Sequence, residues 1–150
     1  MREKLIRLFV KTTAPKVKVI FNPLDDCHYR HIDEVMNINL SQASNEDDGG
    51  FRHHLALVHK CPFVNEISLP LWSILHELGH HFTADEIDLD DKLDLFEQRE
   101  QLFAMQEHLT DEEMNNAYFN LADEWEATEW AIAYIKKHPI KCLIFGDLLR

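Results

Sequence analysis

Two histidines, His76 and His80, stand four residues apart, with a glutamate, Glu77, directly after the first. On a helix of 3.6 residues per turn the two imidazoles lie roughly 40° apart on one face, and Glu77 flanks it. This is the zinc-hydrolase spacing: two imidazole ligands one turn apart and a carboxylate placed to activate a water molecule. The chain holds ten histidines in 150 residues, so a chance pair is the competing explanation. The flanks decide for the metal. Pro70 suits a first helical turn, and Leu71, Trp72, Ile74, Leu75, Leu78 and Phe82 form a broad apolar arc behind the imidazoles. Gly79 sits inside this helix despite a cost of about 1 kcal/mol against alanine. Such a glycine predicts another backbone pressing close.

A tetrahedral zinc that keeps one open position needs a third protein ligand. The candidates are Cys27, Cys61, the other histidines, and the carboxylates of Asp123, Glu124, Glu126 and Glu129. On a regular helix Glu124 lies within roughly 60° of Leu121, Ala127, Thr128, Ala131 and Ile135, whereas Glu126 and Glu129 fall among Ala133, Lys136 and Lys137. Glu124 therefore points into the apolar stripe, where an ionised carboxylate requires a positive partner. Zinc held by His76 and His80 would serve, with Ala127 and Ala131 permitting close helix approach. An ion pair with an arginine such as Arg99, or a helix-terminus contact if the helix starts late, would serve as well. Zinc is the preferred reading. His81, about 100° further round the helix than His80, is expected at the surface or behind a ligand. His53, His54 and His59 need no special role, and Cys27, His28 and Cys61 match no metal spacing.

The elements that must position these residues follow from local pattern. Residues 2–13 carry an amphipathic helix ended by Ala14-Pro15, and residues 17–21 alternate as a β-branched strand stopped by Asn22-Pro23. Residues 24–31 read as loop, 35–40 as a second strand, 44–50 as a turn, and 55–59 as a third strand in a hairpin-like meander. Residues 84–91 form an acidic connector without the spacing of a calcium loop, and 92–108 a helix. Thr110-Asp111-Glu112-Glu113 is a capping box announcing one last long helix to His138-Pro139, after which Leu143-Ile144-Phe145 docks on the core. The expected fold is α+β, a small three-stranded sheet packed with helices around a zincin-like metal helix, in one domain spanning 1–150.

Charge narrows the partners. Twenty-seven carboxylates against 15 lysines and arginines give a formal net charge of −12, which disfavours direct nucleic-acid binding through phosphates. Three widely spaced cysteines form no disulfide framework and suit a reducing, cytoplasmic setting. No signal-like or membrane-spanning apolar run is present.

The combination His76-Glu77-Leu78-Gly79-His80, then Glu124-Trp125-Glu126-Ala127-Thr128-Glu129-Trp130-Ala131, then Pro139, resembles the ImmA/IrrE zinc metallopeptidases. Asn37-Ile38-Asn39 is similar to the short strand segment ahead of their metal helix. Thr128 stands where that family has Asn or Asp, and Trp130 where it has Phe. The resemblance implies a gluzincin-type enzyme with His76, His80 and Glu124 as zinc ligands and Glu77 as general base. It implies a protein substrate, such as a helix-turn-helix repressor of a phage or mobile element. Tyr134, His138 and His108 are the candidates for stabilising the oxyanion. The alternatives are a non-catalytic module of the same fold that binds a DNA-binding regulator, and another zinc hydrolase such as an amidase.

Overall fold

A computed structural model describes residues 1–44 and 49–150. Helix α1 (Arg2–Thr13) buries Ile6, Phe9 and Val10 along one stripe. Strands β1 (Lys18–Ile20), β2 (His28–Arg30) and β3 (Val35–Asn37) form a mixed sheet in the order β1-β3-β2, with β1 parallel and β2 antiparallel to β3. Helices α2 (Leu40–Ala43), α3 (Gly49–Leu57), α4 (Leu69–Thr83), α5 (Leu89–Ala104), α6 (Asp111–Phe119), α7 (Ala122–Lys137) and α8 (Pro139–Leu149) follow. The class is α+β with a small three-stranded sheet, as expected, and the chain is mostly helical. No helix among the described residues is long and apolar enough to cross a membrane.

Helix α4 occupies the centre. Trp72, Leu71, Ile74, Leu75 and Leu78 are wholly buried and join the main core with Ile6, Phe9, Met36 and Ala131. Trp72 Nε1 donates to the Val64 carbonyl at 3.0 Å, which satisfies the polar end of the largest buried ring. Phe82, placed on the apolar arc by spacing, is 44% exposed and stacks on Trp130 instead.

Several local expectations give way to neighbours. The second strand stops at Asn37 because Asn39 caps α2, its Oδ1 accepting from the amides of Ser41 and Gln42 at 3.1 Å each. Asn37 is fully buried and holds the preceding loop, accepting from Asn22 N at 3.0 Å and donating to the Asp26 carbonyl at 2.8 Å. The stretch read as loop over 24–31 contains strand β2, whose three residues pair in register with β3 (His28 with Asn37, Arg30 with Val35). The third strand expected at 55–59 is absent. Phe51, His54 and Leu55 instead bury one face of α3, a helical spacing that a short apolar run conceals. The expected turn at 44–50 falls on residues 45–48, outside the described residues, and Gly49-Gly50 open α3.

The acidic connector is shorter than expected, since Asp88 caps α5 by accepting from Asp91 N at 2.9 Å. The capping box at Thr110 and Glu113 is present, but it starts α6, which ends at Asn120. Leu121, at φ −58° and ψ 141°, breaks the chain direction before α7 begins. One long helix is thus two. In α8, Cys142, Gly146 and Leu149 face the core and Phe145 packs edge-on against Phe9, while Leu143 and Ile144 point outward.

Helices α4 and α7 touch at backbone distance. A Cβ built on Gly79 would lie 2.3 Å from the Ala127 carbonyl oxygen and 2.7 Å from its Cα. Ala127 and Ala131 are completely buried there, so the close approach predicted from Gly79 is realised. Gly79→Ala should therefore destabilise the protein by about 2 kcal/mol through overpacking, against its gain in helix propensity. Chemical denaturation of the variant and the wild type measures the difference.

Candidate metal centre

The close packing of α4 on α7 brings together side chains 48 residues apart. His76 Nε2 lies 2.8 Å and His80 Nε2 3.3 Å from the same oxygen, Glu124 Oε2. Possible ligand atoms of His76, His80 and Glu124 all fall within 4.8 Å of one another, the one such group of three among the described residues. Glu124 is 3% exposed and His76 7%. The other oxygen, Glu124 Oε1, accepts from Arg99 Nη2 at 3.0 Å, and that nitrogen also meets Asp123 at 2.8 and 3.1 Å. Of the partners weighed for Glu124, the arginine is present, Arg99 on one oxygen, while the two histidines meet the other oxygen directly. Glu124 also lies in the first turn of α7, where the helix dipole favours an anion.

Thr128 stands behind His76: its Oγ1 donates to the Glu124 carbonyl at 2.8 Å and lies 3.2 Å from His76 Nδ1. Nε2 is the nitrogen aimed at Glu124. A proton on Nε2 makes this contact a hydrogen bond to the carboxylate, and without that proton the same nitrogen is free to hold a metal ion. The donor set of two imidazoles and a carboxylate is one that catalytic zinc uses with a fourth position left open. The residues present fit the metal.

Without a metal, the same groups form an ion pair. Burial by itself would lower His80, but the hydrogen bond to Glu124 and the carboxylate's charge outweigh it and raise the imidazole to about 9. Burial would raise Glu124, yet the hydrogen bonds from His76 and His80 hold it well below the usual carboxylate range. Glu77 is shifted upward by burial, with the two imidazoles opposing. It shares the wall of a cleft of about 340 Å³ with His76, Phe51, Phe103, Phe119 and Tyr118.

Other sequence candidates lie elsewhere. His81 Nδ1 meets the Tyr29 hydroxyl at 2.7 Å and ties α4 to β2. Glu129, placed on the wet side by helical geometry, pairs with His59 Nδ1. Cys27 and Cys61 are kept as neutral thiols by burial, Cys27 at about 11. The three oxyanion candidates line neither cleft beside His76 and His80. The Tyr134 hydroxyl meets Thr13 and Lys141, His138 packs on Tyr134, and His108 ends a turn at Gln106–His108. The aromatic hydroxyl beside the site is Tyr118, from the end of α6. Burial first and the neighbouring Glu124 second shift it upward, and Arg99 lies over its ring at 5.7 Å. Only the break between α6 and α7 turns it toward Glu124, so no spacing rule marks it.

No family model matches the chain, and searches of curated proteins and of solved structures find no match to it.

Linkage gives a sign to test. His80 is raised from 6.5 to about 9, so its contribution to the metal-free protein is complete below pH 6.5 and lost as pH rises through about 9. Glu124 is depressed, so its contribution is present above the ordinary value of 4.5 and lost as pH falls through the folded one. Chelated protein should accordingly show a Tm that falls between pH 6.5 and 9, and saturating zinc should remove that fall. A flat metal-free profile would contradict the assigned ion pair.

Proposed function

We propose that this chain is a zinc-dependent metallopeptidase with a zincin-like fold of the ImmA/IrrE kind, acting on a protein substrate inside the cell. The observation that carries the reading is the convergence of His76, His80 and Glu124 on one point, beside a cleft lined by Glu77. His76, His80 and Glu124 would hold the zinc, which when bound supplies a Lewis acid for a peptide carbonyl and lowers the pKa of a water toward about 7. The protein's own groups do the rest. Glu77 accepts the proton of the attacking water and passes it to the leaving amine, and its burial makes it a stronger base than a solvated glutamate. Tyr118 lines the same cleft with its hydroxyl hydrogen-bonded to Glu124, and on release from that carboxylate it would donate to developing negative charge on the carbonyl oxygen. Arg99 and Thr128 orient Glu124 and His76 from behind.

Strand β2 is an edge strand packed on α4, and its outer edge offers main-chain groups to an extended substrate. A helix-turn-helix repressor, basic through its DNA-binding surface, would be drawn to a chain of net charge −12. The second reading is a non-catalytic module that binds such a regulator. It is favoured by Arg99 and a protonated His80, which neutralise Glu124 without any metal.

Metal analysis of the native protein should return one zinc per chain, and none for Glu124→Ala. Glu77→Gln should keep its zinc while losing about 1000-fold in peptide hydrolysis. Undiminished turnover in Glu77→Gln would unseat it as the base, and a metal-free native protein would favour the binding module. Tyr118→Phe should lower kcat by about 100-fold with KM little changed, measured on the same peptide.

A further inference from the structure

The charges of this chain are not spread evenly. Residues 1–18 and 136–150 hold ten of the 15 lysines and arginines but two of the 27 carboxylates, a formal charge of +8, and the rest of the chain carries −20. These two segments are distant in sequence and adjacent in the fold. Helix α1 lies antiparallel to α8. The Arg2 guanidinium donates to the Arg150 carbonyl at one end, Lys141 Nζ donates to Thr13 Oγ1 at 3.0 Å toward the other, and Phe9 meets Phe145 edge-on between them. Of the ten cations, Arg150 alone meets a carboxylate among the described residues, Asp147 at 3.5 Å. A chain of net charge −12 thus keeps a basic face that its own acids leave unanswered.

The same face is apolar where a surface helix is ordinarily polar. Helix α8 buries Cys142, Gly146 and Leu149 inward, and its other side carries Ile140, Leu143, Ile144 and Leu148, exposed by 42 to 73%. A helix apolar all round belongs against a further apolar phase. Lys136 and Lys137 stand exposed at the end of α7, immediately before it, and on α1 Leu8 is 51% exposed among the exposed Lys4, Arg7 and Lys11. Lysines around aliphatic side chains suit an anionic bilayer, where the aliphatics enter the acyl boundary and the ammonium groups stay at the lipid phosphates. Two other occupants fit less well. A second copy seated face to face would set +8 against +8. Nucleic acid would answer the charges and leave the four aliphatic side chains of α8 in water.

We propose that α1 and α8 form a docking face for an anionic membrane surface, with the outward aliphatics of α8 at the level of the acyl chains. The chain then lies on the bilayer without crossing it, which needs no helix of spanning length. At physiological salt charges act over about 8 Å, so the basic face nearest the lipid outweighs the acidic remainder. Neither helix lines the clefts at His76 and His80, and the proposal does not rest on the metallopeptidase reading.

The test sediments the full chain with vesicles of phosphatidylcholine alone, and of phosphatidylcholine with about 30% phosphatidylglycerol, at about 0.1 M salt. Binding to the anionic vesicles should exceed binding to the neutral ones by at least about 10-fold and fall as salt is raised. Lys136→Glu with Lys137→Glu, and separately Ile144→Ser with Leu148→Ser, should each weaken it by at least about 10-fold. Leu89→Ser with Leu93→Ser, which changes exposed aliphatics of the acidic α5, should leave it unaltered. No anionic preference, binding untouched by both the glutamate and the serine pairs, or equal loss in the α5 variant overturns the proposal. Tighter binding to a duplex DNA that the Ile144→Ser, Leu148→Ser pair does not weaken assigns the face to nucleic acid and overturns it too. So does a dimer in light scattering that this serine pair dissolves.

Discussion

A carboxylate taken out of water must be neutralised, and the centre of this protein is arranged around that requirement at Glu124. At 3% exposure an uncompensated charge would cost several kcal/mol. Its two oxygens are answered separately, Oε2 by the imidazoles of α4 and Oε1 by the guanidinium of α5. The division has a chemical consequence. Arg99 fixes the carboxylate's orientation from outside, while the oxygen facing the histidines stays available to a cation that they can share.

Such a centre depends on two backbones meeting closely. Gly79 carries no side chain where the Ala127 carbonyl presses on α4, and small residues on α7 continue the contact. A longer stand-off would part the imidazoles from Glu124, since neither a histidine nor a glutamate can lengthen to follow. The break at Asn120 and Leu121 contributes equally. It puts Glu124 in a helical first turn, where the backbone dipole supports its charge, and it swings Tyr118 toward the same carboxylate.

The surroundings divide by task. The apolar stripe of α1, the buried side of α8 and the rings about Trp72 make the core and keep α4 rigid. On the open side, β2 and α5 leave main-chain edge and exposed rings beside the ligands, surfaces that add little to stability.

The helix that carries His76 and His80, the inward face of Glu124, the packing glycine and the capping box at Thr110 were legible in the sequence, because each rests on a helical period or a spacing of a few residues. The α+β class was legible for the same reason. What escaped depends on partners distant in the chain. Strand β2 has three residues and no alternation of its own, and it exists because β3 offers it a ladder. The run at 55–59 reads equally well as strand or helix, and the burial of Phe51, His54 and Leu55 decides for helix. Tyr118 and Arg99 come to the ligands only through the turn between α6 and α7 and the packing of α5. Residue types and short-range periodicity thus marked His76, His80 and Glu124 as groups that could hold a metal ion, and the tertiary structure alone brought Arg99 and Tyr118 beside them, because their approach is set by contacts no local period encodes.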